Sequence, residues 1–278
     1  MIKVILLDID GTLTNSKKQI TPKTREALLK AQENGCVLVL ASGRPTQGLN
    51  RYVKELEMDK NNGILISYNG ALASNAETRE VYFKNLMPKD IAKKLIKHLK
   101  EFNDHGIVSE EDTYVITEDC FKNTINYKNE KFGVLEYETR MNNCLIKEVR
   151  NLEDYVDHDI AKILTYGNPE YLKENEKKMC EGFDNLSHMF TADFYFEFTN
   201  KGIDKTKAIN ESLVNVLGFK KEEMIAFGDA QNDKSMLEFA GIGVAMGNAS
   251  DELKKIADYI TDDNNSDGIA SALDKFLN

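Results

Sequence analysis

The chain has 278 residues, of which 41% are hydrophobic and 29% are charged, a composition typical of a globular protein with one large or two unequal domains. A formal net charge of −10 argues against nucleic acid or an acidic membrane as a partner, yet local cations can still bind a small phosphorylated ligand. No apolar run reaches the roughly eighteen residues of a membrane span, and the N-terminus resembles no secretory signal, so we expect a cytoplasmic protein.

The first third of the chain alternates strand and helix patterns. Apolar runs at residues 3–9, 36–41 and 64–67 predict three short buried strands. Residues 22–34 predict a helix, because Thr21 can cap it and a proline follows at the first helical position. This alternation predicts an α/β core.

From about residue 82 the sequence becomes more polar and its pattern changes. The predicted elements of this middle part are helices at 88–102 and 169–179, a strand at 160–166 and a hairpin at 190–199. The α/β alternation then returns, with a helix at 205–217, strands at 224–228 and 242–245, and a helix after Asp233. We therefore predict a core of residues 1–83 and 200–278, interrupted by a smaller α+β domain at 84–199.

The strongest local motif is Asp8-Ile9-Asp10-Gly11-Thr12, which comes directly after the first predicted strand. Open α/β sheets bind their ligands at this end of the strands. Two aspartates two residues apart project to one side, so one could attack a substrate while the other transfers protons. A simple Asp-Gly turn is the alternative interpretation of this motif taken alone.

A second acidic motif, residues 228–233, follows another short apolar strand. Hard divalent cations prefer oxygen ligands, and Asp229 and Asp233 could supply them together with Asp8. The motif therefore predicts a Mg²⁺ site, and the alternative is a helix N-terminus at which acidic residues are favoured by the helix dipole.

Possible phosphate ligands occur between the two acidic motifs. Ser42 and the amide of Gly43 follow the second strand, and Lys205 opens a helix. A hydroxyl, an amide and an ammonium group are all suitable donors to phosphate oxygens. Taken singly, the Ser-Gly pair could be a turn and the lysine could be solvated.

Together these motifs resemble the haloacid dehalogenase (HAD) superfamily, and within it the Cof-type phosphatases, over essentially the whole chain. Asp8 to Thr12, Ser42, Lys205 and Gly228 to Asp233 are similar to the four ordered motifs of that superfamily. The resemblance implies a Rossmann-like parallel-sheet core with an inserted α+β cap. One departure is Thr206, because the subfamily often has glycine after the lysine.

The resemblance also implies roles for individual residues. Asp8 would be the nucleophile and Asp10 the general acid and base. Mg²⁺ would be held by Asp8, Asp229 and the backbone carbonyl of Asp10, with Asp233 as a further candidate ligand from its position. The residues implied at the transferring phosphate are Ser42, Gly43, Lys205 and Asn232.

The implied activity is hydrolysis of a small phosphorylated metabolite, such as a sugar phosphate or a phosphorylated coenzyme, by a monomer or small homo-oligomer. Two alternatives stay open: a sugar phosphomutase that uses the same aspartates, and a non-catalytic sensor of a phosphorylated ligand. Asp10 beside Asp8 argues against the sensor, because binding alone needs no group for proton transfer. Residues 263–274 match part of a calcium loop, but no helix is predicted before them, so we expect a polar turn there.

Overall fold

The computed structural model describes residues 1–111, 113–122 and 124–277. The chain divides into two compact units, Met1–Lys84 with Asp204–Asn278, and Asn85–Ile203. The strands of the described residues are β1 (Val4–Leu7), β2 (Val37–Ala41), β3 (Ile64–Ser67), β4 (Leu72–Asn75), β5 (Val81–Lys84), β6 (His105–Glu110), β7 (Tyr114–Thr117), β8 (Thr124–Tyr127), β9 (Glu130–Gly133), β10 (Leu145–Glu148), β11 (Lys162–Gly167), β12 (Leu186–Ala192), β13 (Tyr195–Asn200), β14 (Met224–Gly228), β15 (Ile242–Ala245) and β16 (Tyr259–Ile260).

The α-helices of the same residues are α1 (Pro22–Glu33), α2 (Asn50–Glu55), α3 (Lys89–Leu99), α4 (Val134–Asn142), α5 (Leu152–Tyr155), α6 (Pro169–Met179), α7 (Lys205–Ile209), α8 (Lys234–Phe239), α9 (Asp251–Ile256) and α10 (Gly268–Leu277). None of the helices described here is both long and apolar enough to cross a membrane.

The first unit is built on a sheet in which the described strands have the order β16-β15-β14-β1-β2-β3-β4-β5. The strands from β16 to β3 are parallel, and β4 and β5 extend the sheet in antiparallel fashion. The predicted α/β class with a parallel-sheet core is confirmed. Because β1 lies between β2 and β14, the residues that follow these three strands meet at one edge of the sheet.

The central strand β1 is buried on both faces, which explains its unbroken apolar sequence. Successive side chains of a strand point to opposite faces. Ile5 and Leu7 accordingly pack into one apolar cluster, with Leu28 of α1, whereas Val4 and Leu6 pack into a second cluster on the other face. The helices on both faces therefore hold β1 and the loop after it in a fixed place.

The helix that begins at Lys205 differs from its prediction. Asp204 caps it by accepting hydrogen bonds from the amides of Thr206 and Lys207, at 2.7 and 3.2 Å. The predicted single α-helix at 205–217 is wrong in detail, since α7 ends at Ile209 and the chain continues with π-type turns from residue 210 to 216. The Ser212 hydroxyl donates to the carbonyl of Ala208 inside these turns, a contact that competes with the regular backbone bonds.

The second unit contains a mixed sheet whose described strands have the order β10-β7-β6-β11-β13-β12, and a separate ribbon of β8 and β9. Its helices are α3 to α6, so the predicted α+β character of the inserted part is confirmed. The predicted hairpin exists as β12 and β13, and Phe194, Phe196 and Phe198 are all buried.

Candidate active site

Three predicted site residues follow three neighbouring parallel strands. Asp8 follows β1, Ser42 follows β2 and Asp229 follows β14. The amide of Asp8 donates to the carbonyl of Phe227 at 3.2 Å, and the amide of Ser42 donates to the carbonyl of Ile66 at 2.9 Å. The sheet edge therefore positions the backbone of the site.

Lys205 lies between two aspartates. Its ammonium nitrogen is 2.7 Å from Oδ1 of Asp8 and 2.7 Å from Oδ1 of Asp233. Its side chain is 1% exposed, and those of Asp8 and Asp233 are 9% and 0% exposed. The interpretation of Lys205 as a solvated helix-opening lysine is therefore excluded, and the lysine is a buried counter-ion for two carboxylates.

The shared lysine changes the acidity of the groups around it. Burial, together with the nearby Asp233 and Asp229 carboxylates, outweighs the opposing effect of Lys205 and raises the pKa of Asp8 to about 7. Burial would lower the pKa of Lys205, but Asp8 and Asp233 outweigh that effect and raise it above the usual value. Lys205 is thus held in its charged form.

Asp233 also organises the turn that follows β14. Its Oδ2 accepts hydrogen bonds from the amides of Asp229 and Ala230, both at 3.1 Å. A Cβ atom on Gly228 would lie 2.5 Å from the Cβ of Asp233, so this turn needs glycine there. Asp233 thereby connects Lys205 to the backbone that positions Asp229.

The three carboxylates have the chemistry of a cation site. Asp8, Asp229 and Asp233 each offer an oxygen, and these oxygens lie within 4.8 Å of one another. The Thr12 hydroxyl donates to Oδ1 of Asp229 at 2.8 Å, and burial raises the pKa of Asp229 above its usual value. Clustered, partly buried carboxylates fit a hard divalent cation such as Mg²⁺, which would offset their mutual repulsion.

Gly11 is required beside this cluster. It has a φ of +91°, and a Cβ atom built on it would lie 2.3 Å from Oδ2 of Asp229. The loop from Asp8 is closed by its own hydrogen bonds, including that from the Leu13 amide to the Asp8 carbonyl at 3.2 Å. Close approach of this loop to Asp229 therefore depends on a residue without a side chain.

Asp10 is only two residues from Asp8 in the sequence, but its carboxylate pairs with two basic side chains. Nε and Nη2 of Arg44 donate to its two oxygens, both at 2.8 Å, and the Lys18 ammonium is 2.7 Å from Oδ1. Burial would raise the pKa of Asp10, but these hydrogen bonds and charges lower it to about 2. The side chain of Asp10 is thus an ion-pair partner, and a metal contact through its backbone carbonyl stays a prediction.

The predicted phosphate contacts lie on different elements of the first unit. Ser42 is buried, and its hydroxyl accepts a hydrogen bond from the Arg44 amide at 3.3 Å. A Cβ atom on Gly43 would meet the side-chain amide of Asn69 at 3.0 Å. Asn232 is exposed on the short helical turn before α8. Their contact with phosphate stays a prediction.

Sequence reasoning missed several residues that support the site. Arg44 and Lys18 were not expected to pair with Asp10, although Arg44 directly follows the Ser42-Gly43 pair. Asn248 donates to the carbonyl of Gly11 and Asn264 to that of Thr14, both at 2.8 Å. The start of the calcium-like segment, residues 263–267, is therefore a polar turn that connects to the loop after β1, and the rest of the segment lies in α10.

Comparisons with known proteins agree with this geometry. A family model of haloacid dehalogenase-like hydrolases matches residues 5–273. A haloacid dehalogenase-like hydrolase from Bacteroides thetaiotaomicron has a crystal structure that superposes with a TM-score of 0.90, at 36% identity and 99% coverage of both chains.

Two named enzymes are also similar. A pyridoxal phosphate phosphatase of Escherichia coli is 31% identical over 96% of both chains. A 5-amino-6-(5-phospho-D-ribitylamino)uracil phosphatase of Bacillus subtilis is 25% identical over 99% of this chain and 97% of its own. With a family match over nearly its whole length and an acidic site at the expected strand ends, the chain belongs to the haloacid dehalogenase-like hydrolases and is a phosphatase.

Proposed function

We propose that this enzyme hydrolyses small phosphomonoesters in a Mg²⁺-dependent reaction through an aspartyl-phosphate on Asp8. The observation that carries the proposal is the position of Asp8, whose carboxylate lies at a strand end beside Lys205 and Asp229. A nucleophile for phosphoryl transfer needs a negative oxygen held among groups that offset the charge of the phosphate.

The cation would be held by Asp8, Asp229 and the backbone carbonyl of Asp10, with Asp233 nearby. When bound, Mg²⁺ supplies positive charge that lets the carboxylates and a phosphate share one small space. Asp233 already accepts hydrogen bonds at both oxygens, from Lys205 and from two amides. We therefore assign Asp233 mainly to the orientation of Lys205 and Asp229.

The reaction proceeds in two displacements. An oxygen of Asp8 forms a bond to phosphorus, and the bond from phosphorus to the ester oxygen breaks. Asp10, whose pKa the negative charge of the bound phosphate would raise from its low ligand-free value, gives a proton to the leaving alcohol. Water then attacks phosphorus and loses a proton to Asp10, which releases inorganic phosphate and restores Asp8. Phosphoryl transfer has a loose transition state, so the main task of Ser42, Gly43, Lys205 and Asn232 is to position the phosphate and offset its charge.

The names of two related enzymes support a proposal for the substrate class. One is named for pyridoxal phosphate and the other for a phosphorylated ribitylamino compound. Both substrates are small phosphomonoesters, one a coenzyme and one carrying a sugar alcohol. We therefore propose a sugar phosphate, a sugar-alcohol phosphate or a phosphorylated coenzyme for this enzyme.

The test is phosphate release from a panel of such compounds by the wild type and by Asp8→Asn. The wild type should release phosphate and become transiently phosphorylated at residue 8, and the variant should do neither. Turnover that requires a bisphosphorylated sugar would instead indicate a phosphomutase. Tight binding of a panel compound without turnover would indicate a sensor, and normal turnover by Asp8→Asn would refute the assigned nucleophile.

A further inference from the structure

Arg44 forms a two-bond ion pair with the Asp10 carboxylate through one edge of its guanidinium. Nε contacts Oδ2 and Nη2 contacts Oδ1, both at 2.8 Å, which is the parallel two-bond geometry of a strong arginine–carboxylate pair. The side chain of Arg44 is only 9% exposed, whereas that of Asp10 is 38% exposed. The arginine is therefore the fixed member of the pair.

The backbones of both residues are held by other contacts. Asp10 pairs with Thr14 in a short bridge, and the Thr14 hydroxyl donates to the carbonyl of Ile9 at 2.9 Å. The carbonyl of Arg44 accepts from the Tyr68 amide at 2.9 Å, and its amide donates to the Ser42 hydroxyl. With both backbones held, the guanidinium determines where the Asp10 carboxylate points.

Lys18 also contacts Asp10 but cannot fix its direction in the same way. It makes a single contact of 2.7 Å from a side chain that is 44% exposed. An ammonium is a point charge on a flexible stem, and an exposed ion pair of this kind contributes little. Lys18 and Arg44 thus carry the same charge to the same carboxylate with different geometry.

The geometry points to Arg44 as a positioning residue that orients Asp10 for proton transfer to the leaving group. This inference rests on the proposed function, in which Asp10 is the acid and base. Through its amide, Arg44 also connects the orientation of Asp10 to Ser42, a proposed phosphate contact. A competing role for Arg44 is direct contact with the phosphate, and the two roles differ in how the leaving group affects the loss of activity.

The test compares kcat/KM for 4-nitrophenyl phosphate, which has an acidic leaving group, with kcat/KM for glucose 6-phosphate, which needs a proton on its leaving oxygen. Asp10→Asn should raise the ratio of aryl to alkyl rates by about 10²- to 10⁴-fold, the usual contribution of acid–base catalysis. Arg44→Met should raise it by about 10²-fold, because a misplaced acid is nearly as ineffective as a missing one.

Three further variants make the result specific. Arg44→Lys keeps the charge but loses the two-bond geometry, so its ratio should also rise, and it covers the case in which Arg44→Met does not fold. Lys18→Met removes the same charge from the same carboxylate and should leave the ratio near that of the wild type. In the double variant Asp10→Asn with Arg44→Met, the ratio of aryl to alkyl rates should rise no further than in Asp10→Asn alone, since the two substitutions remove the same function.

The outcomes separate this inference from the proposed function. If Arg44→Met and Arg44→Lys lose aryl and alkyl activity equally, Arg44 contacts the phosphate and the inference is overturned. The inference would also be overturned if Lys18→Met raised the ratio of aryl to alkyl rates as much as Arg44→Met, since the loss of one positive charge would then explain the effect of each variant. If the wild type hydrolyses neither compound nor any of the metabolite panel, the proposed function and this inference both fail.

Discussion

Replacing Lys205 with methionine should destabilise the protein as well as inactivate it. The variant would leave Asp8 and Asp233 buried without the ammonium that lies 2.7 Å from each. Removal of one partner from a buried ion pair lowers the free energy of unfolding by about 3–5 kcal/mol. The loss should lie near the lower value, because Asp8, with a pKa already raised to about 7, can take up a proton.

The assay is thermal unfolding at pH 8 with EDTA or with excess Mg²⁺. In EDTA the variant should melt about 6 to 12 °C below the wild type, the shift that a loss of about 3 kcal/mol gives in a domain of this size. Mg²⁺ should recover part of the loss, because a cation bound by Asp8 and Asp229 replaces some of the missing charge.

Lys162→Met is the matched control. Lys162 in the second unit is also buried between two carboxylates, with Glu110 at 2.8 Å and Glu197 at 3.0 Å. Its loss should destabilise the protein similarly, but without recovery by Mg²⁺. If Lys205→Met melts within about 2 °C of the wild type in EDTA, Lys205 does not neutralise the two aspartates as the structure indicates.

The remaining predictions concern the cation, the loop after β1 and a histidine of the second unit. EDTA should abolish phosphate release and Mg²⁺ should restore it, so full activity in excess EDTA would contradict the cation site. Gly11→Ala should weaken Mg²⁺ binding, measured by calorimetry, because its Cβ would lie 2.3 Å from Asp229 Oδ2 and its φ is +91°; unchanged affinity would show that the loop adapts. Burial lowers the pKa of His105 to about 4, and a histidine that stays neutral in the folded state makes stability fall as the pH drops from about 6.5 towards 4. His105→Phe should remove up to about 3 kcal/mol of this acid-induced loss of stability. If the urea midpoint falls by the same amount between pH 7 and pH 4.5 in the variant and in the wild type, the prediction is refuted.

The strand ends of the first unit could be predicted because local sequence determines them. The predicted strands at 64–67, 224–228 and 242–245 match β3, β14 and β15, since each is a short, largely apolar run, and the first two end at Ser67 and Gly228. The helix at 169–179 also matches α6, because a proline opens it. Asp8 and Asp229 could then be placed at one sheet edge from the parallel topology alone.

The middle of the second unit could not be predicted in the same way. Strand β10 is exposed at all four residues, so it carries no alternation of apolar and polar side chains. Its stability comes from pairing with β7, whose register no local pattern encodes. The contacts of Arg44 with Asp10, and of Lys205 with Asp233, were also missed, because they depend on side-chain directions across the fold.

The position of β1 in its sheet has a consequence for synthesis on the ribosome. Val4 of β1 pairs with Met224 of β14, so the central strand cannot complete its pairing until β14 has been synthesised, which happens only after the whole second unit has been translated. The second unit is one continuous segment, Asn85–Ile203, and all its strands are available earlier. Because domains generally fold as units during translation, the inserted unit should become protease-resistant in shorter nascent chains than the sheet that contains the active site.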